Sequence, residues 1–420
     1  MAKIAIVNFN AGEITPDVDA REDIEKYTGG CRKCENMIPD VFGNATKRPG
    51  TEFVTIGGAG CYFDTSLPDD TKIGISTVAQ LALIGNDAAY PLDGDYELLN
   101  DIDLNVAPYN TGDGWQGIGS SKDSVTVYAF RGTFDGRYHT ISNLYIDDDD
   151  FLSLQDGGAL GLFGGTFNAT IQNVLLTNID VKGRIFVGGL VGEATDTDFI
   201  HCHTEGTITT EINHNATNSH TGGFGSTQAG GNTFTRCSAI VDVICEGEGW
   251  IYATPDGAFT QVGNFAGNPS DGVYTDCYAR GTVSAITPGG LRVLRQSGPF
   301  GYSNTGATFT NCYAATTVDT SLTMLNTENG GFIGHDPEPF LTYSDCFWDN
   351  TINTRVAGDQ GTDHGPDLGD NVTAKTTAQM YAKATYTNWD FDTVWLIREG
   401  AAYPVHKWYD QCTRCVWLHN

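Results

Sequence analysis

One glycine-framed phrase returns along this chain at nearly constant intervals, and that regularity limits the fold more than any other feature. It reads GLFGG at 161–165, GGLVG at 188–192, GGFGS at 222–226, VGNFAG at 262–267, GPFGY at 298–302 and GGFIG at 330–334. After each of the last five comes a short polar stretch and then FIHC, FTRC, YTDC, FTNC or YSDC, placing Cys202, Cys237, Cys277, Cys312 and Cys346 at steps of 35, 40, 35 and 34. Stretches such as HTEGTITT and YARGTVSA follow, alternating small and branched residues so that every second side chain faces one way. A unit this short cannot bury its apolar face until a neighbour stacks on it. The spacing therefore predicts a solenoid of parallel coils, each with about three short strands and a variable connection. The five cysteines are expected in its core as small buried hydrophobes, since one thiol per coil gives no chelating pair.

Composition agrees. Glycine numbers 52 and proline only 14 among short apolar stretches, the mixture of many strands joined by tight turns. A hydrophobic content of 40% supplies enough apolar surface to order the chain. The formal net charge is −29, of which residues 1–60 carry only −2. So acidic a body excludes a phosphate-binding groove, and no nucleic-acid partner is expected. The opening MAKIAIVNFNAGEITPD lacks the basic region and long apolar run of a secretory signal, and no stretch approaches 18 apolar residues. The expectation is a soluble protein made in the cytoplasm, without membrane insertion.

The repeats resemble the GLUG motif of parallel β-helix, adhesin-like proteins. The resemblance extends to YPLDGDYELLNDIDLN at 90–105, FRGTFDGRYHTISNLYI at 130–146, IQNVLLTNIDV at 171–181, TTAQMY, and NWDFDTVWLIREGAAYPVHKW at 388–408. It implies an all-β, right-handed parallel β-helix. The expected division is a cap and entry over 61–108, the β-helix over 109–365 and a C-terminal cap over 366–420. Thr77 with Gln80, and Thr376 with Gln379, read as helix-start capping boxes that would close the two ends.

Residues 8–54 stand outside this pattern. NFNAGEITPDVDAREDIEKYTGGCRKCENMIPDVFGNATKRPGTEFV resembles the opening of phage tail proteins of the tail-nozzle kind. A helix is expected to start at Pro16, to carry Ile24 and Tyr27 on one face, and to precede the Ile38-Pro39 stretch. Lys47, Arg48, Pro49 and Gly50 would then fix a tight polar turn. The resemblance implies that residues 1–60 anchor the chain in a virion and gain their order from other tail proteins. In the nozzle family this opening leads to a propeller-like body, whereas here it leads to a solenoid.

Other candidate sites carry competing readings. Cys31 with Cys34, and Cys412 with Cys415, form the CxxC pairs near the termini. They fit a shared Zn²⁺ site if the ends meet, a local disulfide within each pair, or unbridged packing. Beyond that zinc no cofactor is expected. The run Asp147 to Asp150 lacks calcium-loop spacing and reads as a solvated turn. Acidic residues, including Asp101, Asp103, Asp135, Asp242, Glu246, Asp276, Asp319 and Asp345, are numerous, but number does not place two across one cleft. The connections at 210–220, 246–261 and 287–297 are the expected recognition loops, with Trp250 and Tyr252 either stacking on a sugar face or packing on the solenoid.

These features together predict a non-enzymatic structural component of a bacteriophage tail. It would stand in several copies among other tail proteins, with the β-helix exposed and either contacting host surface glycan or only decorating and stiffening the tail. A polysaccharide-degrading tailspike and a bacterial surface adhesin are the alternatives.

Overall fold

The computed structural model describes residues 69, 71–119, 128–148, 159–211, 219–228, 230–246, 260–286, 296–301, 306–318, 328–334, 341–353 and 372–409, together with three strands between 47 and 63. The body is an all-β solenoid of stacked parallel coils. Its strands fall into four sheets of nine, ten, six and four strands, and a complete coil of the central region contributes one strand to each. One coil illustrates the path. Thr170–Gln172 lies on the nine-strand face, Leu175–Gly183 on the ten-strand face, Phe186–Gly188 on the six-strand face and Val191–Thr195 on the four-strand face, before Asp198–Ile200 opens the next coil above Thr170–Gln172. The sequence suggested three strands per coil. The fourth arises because the glycine phrase is itself a corner between two strands. At one such corner any Cβ on Gly223 would collide with the Asn264 carbonyl of the next coil.

The residue preceding each of the five cysteines, and Asn173 before Val174 one coil earlier, makes the bend between the nine- and ten-strand faces. Asn173, His201, Arg236, Asp276, Asn311 and Asp345 all adopt left-handed backbone, with φ between 52° and 55°. A repeated left-handed bend sets the same register in every coil, and the neighbouring side chains fall into columns. The inward column of the nine-strand face is Ile171, Phe199, Phe234, Tyr274, Phe309 and Tyr343. Phe234 lies parallel to Phe199 at 5.0 Å and to Tyr274 at 4.7 Å. From the glycine corner a second column, Phe224, Phe265, Phe300 and Phe332, meets the first edge to face; Phe234 and Phe265 cross at 83°.

The five cysteines form a third column, each fully buried and unbridged. Each thiol points at a backbone carbonyl of the preceding coil, as Cys237 Sγ does at Phe199 O, 3.4 Å away. Burial pushes the Cys237, Cys312 and Cys346 thiols well up, and the Cys245 thiol to about 12. These thiols behave as packing groups, not nucleophiles.

Both expected helix starts are present. Thr376 and Gln379 form a complete capping box on helix Thr377–Met380. At the other end Thr77 caps helix Val78–Leu81, while the Gln80 carboxamide accepts from the Ser76 N–H in place of the Thr77 N–H. The parallel ladder already begins at Ile73–Ile75, which pairs with Tyr96–Leu98, so the entry segment shares a sheet with the repeats.

Residues 47–63 contain strands that the repeat pattern does not include. Lys47–Arg48, Thr51–Ile56 and Ala59–Phe63 form an antiparallel sheet of their own. Arg48 pairs with Thr51 across Pro49-Gly50, and Ile56 with Ala59 across Gly57-Gly58. Two-residue connections containing glycine favour such hairpins.

Candidate functional site

The described surface is distinguished by one feature, the C-terminal segment, which doubles back over the outside of the ten-strand face. Val372–Lys375 forms the last rung of that face by pairing with Cys346–Asp349. After helix Thr377–Met380 the chain returns along the flank. Tyr386 and Trp389 pack on Phe347, Trp395 on Tyr278, Tyr403 on Tyr313, and Trp408 on Leu175 and Tyr138. Phe347 to Leu175 is five rungs, about 24 Å at the usual strand spacing. The expected end cap is thus also a lateral strap.

The outward row that it covers comprises Leu175, His203, Ser238, Tyr278, Tyr313 and Phe347. Outward tyrosines and phenylalanine on a sheet would ordinarily face water; the strap buries them. Its polar atoms are anchored as well. Asp349 accepts from Tyr403 Oη and Thr377 Oγ1, each at 2.6 Å, and Tyr313 Oη donates to Pro404 O at 2.6 Å. Tyr409 Oη donates to Glu205 at 3.1 Å, and Trp395 Nε1 to Asp276 at 3.2 Å.

Beside that row the left-handed bends form a polar ladder. Asn173 donates to Asp135 at 3.0 Å; His201 Nδ1 lies 3.3 Å from Asn173 Oδ1 and 3.0 Å from Tyr138 Oη; Arg236 Nη1 lies 3.5 Å from His201 Nε2. Asn311 donates to Asp276 at 3.2 Å, and Asn388 of the strap to Asp345 at 2.9 Å. His406 Nε2 reaches Asp276 O at 2.7 Å, and its ring stacks on Trp408. Desolvation lowers His201 to about 4, with Arg236 adding to the effect, and desolvation also lowers His203 and His406. Burial raises Asp276 despite the bonds from Trp395 and Asn311, whereas Glu205 is lowered, chiefly by His203. Chemically this is a polar seam whose His203 and His406 rings are fully buried beneath the strap, while Glu205 and Arg236 remain partly exposed.

The residues chosen from sequence fare unevenly. The cysteine column lies where the repeats put it. Trp250, Tyr252, Cys31, Cys34, Cys412, Cys415, Pro16, Ile24, Tyr27, Ile38, Pro39, Pro49 and Gly50 lie outside the described residues; Lys47 and Arg48 form the first strand of the small sheet. The connections expected to carry recognition follow Glu211, Glu246 and Ile286 on the ten-strand face and precede Ser219–Gly222, Thr260–Gly263 and Gln296–Ser297 on the six-strand face. Residues 212–218, 247–259 and 287–295 lie outside the described residues. The acidic residues are engaged locally: Asp101 with His139, Asp103 with Asn143, Asp135 with Lys72 and Gln172, and Asp242 with Thr282. Asp319 lies outside the described residues. Among the described residues no group of three or more His, Cys, Asp or Glu is arranged to hold a metal ion.

The sequence pattern does not single out the histidines, yet three of them, His201, His203 and His406, meet at the strap. The signal available was position, since His201 occupies the bend immediately before a repeat cysteine.

No family model matches the chain. It is 31% identical over 171 residues to Halomucin of Haloquadratum walsbyi, an alignment that takes 35% of this chain and 2% of that protein. The chain thus spans a small fraction of that relative's length. Among solved structures, a Bacteroides ovatus protein provisionally described as an immunoglobulin A1 protease superposes with a TM-score of 0.50 at 18% identity, covering 81% of this chain and 94% of that one. Another, named IgA1 Protease, gives 0.42 at 14% identity, over 80% of this chain and 25% of that one. The first likeness is one of fold.

Proposed function

We propose that the chain is a non-enzymatic structural protein of a bacteriophage tail, joined to the tail through its N-terminal segment and projecting the solenoid outward. The observation that carries this reading is the division of the chain. Residues 8–54 resemble a tail-nozzle opening, and among the described residues the parallel ladder starts at Ile73–Ile75. A rod of this kind suits projection, because each coil is held by its neighbours through continuous hydrogen-bond ladders and aromatic columns. The connections after Glu211, Glu246 and Ile286 are the surface this reading assigns to host glycan, since loops on a rigid scaffold tolerate change and carry recognition.

The test is co-sedimentation with tails assembled without this protein. The full chain is expected to pellet with the tails, and a chain beginning at residue 61 to stay in the supernatant. Equal recovery of both would remove the anchoring role. The tailspike alternative is separated by incubating purified protein with host capsule, where released oligosaccharides would contradict the non-enzymatic reading.

A further inference from the structure

We propose that the C-terminal strap, residues 386–409, is an acid-released latch: mild acidification lifts it from the ten-strand face and uncovers the aromatic row Tyr278, Tyr313 and Phe347. The geometry that points to this is a seam in which His201 and His406 are packed in their neutral forms, one against a guanidinium and the other with no acceptor for a second proton. On the bends face His201, Arg236 and Asp276. From the preceding bend comes Tyr138. On the sheet lie His203, Glu205, Arg280, Tyr278 and Tyr313, and on the strap Asp390, Asp392, Tyr403, His406, Lys407 and Tyr409. Lys407 turns outward to Asp392 O, and Asp390 accepts from Thr393 while its charge also acts on Arg236 and Asp276. Within the seam the guanidiniums of Arg236 and Arg280 lie among the carboxylates of Glu205, Asp276 and Asp390, with all three imidazoles neutral.

Each imidazole is built into its neutral form. His201 Nε2 faces the Arg236 guanidinium at 3.5 Å, so it serves as an acceptor; a proton there would set two cations against each other. His406 donates through Nε2 to Asp276 O, and its Nδ1 has no hydrogen-bond partner among the described residues. A proton on Nδ1 would be a buried charge with nothing to accept it. His203 is partly compensated, because Glu205 lies 3.6 Å from its Nε2. In the lifted state all three rings reach water and regain ordinary basicity, so acid favours lifting. The interior aromatic and cysteine columns contain none of these groups, so the coils remain stacked while the strap leaves.

For His201 alone, a value of about 4 when covered against 6.5 when free gives about a 20-fold rise in the lifted population between pH 7 and pH 5. Hydrogen exchange by mass spectrometry on the full chain reads this directly after correction for intrinsic rates. Peptides over 394–409 are expected to gain exchange by that factor or more, while peptides over 198–211 and 233–246 stay protected. His201→Gln and His406→Gln are expected to flatten the response. Exchange over 394–409 that follows the intrinsic rate alone would overturn the latch, as would a rise shared equally by 198–211 and 233–246. If either variant fails to fold, the pH series on the unaltered chain decides the matter.

Discussion

Replacing Phe234 by alanine tests the stacked core where it is most densely coupled. The ring is fully buried, lies parallel to Phe199 and Tyr274, and meets Phe224 and Phe265 edge to face. Truncation withdraws roughly 150 Å² of apolar contact, which at ~25 cal/mol per Å² is about 4 kcal/mol. That falls within the usual cost of about 3–5 kcal/mol for a buried phenylalanine, cavity included. Because coils interact only with their neighbours, the loss should also weaken the coupling between the two halves of the rod. Urea denaturation followed by circular dichroism should therefore show an earlier midpoint and a shallower transition. Thr235→Ala, one residue away on the outward side, is the control and should move stability by under about 0.5 kcal/mol. A loss below about 1 kcal/mol for Phe234→Ala, or equal losses for the two variants, would refute the inward aromatic column.

Four further outcomes follow from the same structure. Gly223→Ala drives a methyl group into the Asn264 carbonyl of the next coil and should cost more than about 2 kcal/mol in the same denaturation assay. Thr376→Ala removes the capping box of the C-terminal helix, at a cost of about 1 kcal/mol, with faster amide exchange confined to residues near 376–382. The folded-state value of His201 is depressed, so its contribution is full above about pH 6.5 and is lost as pH falls towards about 4, at ~1.4 kcal/mol per pH unit. The urea midpoint should drop over that range in the unaltered chain, and less so in His201→Gln; the raised Asp276 acts in the opposite sense. Finally, Cys202, Cys237, Cys245, Cys277, Cys312 and Cys346 should resist a thiol reagent in the native chain and react fully in denaturant.

The inward columns were legible because residue type and spacing fix the side of the strand. An aromatic residue three positions before each cysteine, one coil apart, faces the same interior as its counterparts. Both T-x-x-Q signals marked real helix starts for the same reason, being local hydrogen-bond chemistry. The glycine corner was less legible, since a bend between two short strands looks like a single strand in a one-dimensional pattern. The strap was not legible at all. Its partners lie far along the chain, 119 residues for Trp395 to Asp276 and 204 for Tyr409 to Glu205, and no periodicity reports such pairings. The seam of histidines escaped notice with it, because His406 is brought to His201 and His203 only by that return. In the 47–63 region the alternating TEFVTI and the Gly57-Gly58 pair carried a hairpin signal that the anchor reading passed over.

A cryo-electron-microscopy map of the purified virion tests the central claim most directly. The account predicts four-sided, rod-like density projecting from the tail, with strands stacked about 4.8 Å apart along its length and its N-terminal end seated against neighbouring tail subunits. Virions that lack the protein, or a rod attached by its C-terminal end with residues 1–60 free of any neighbour, would contradict it.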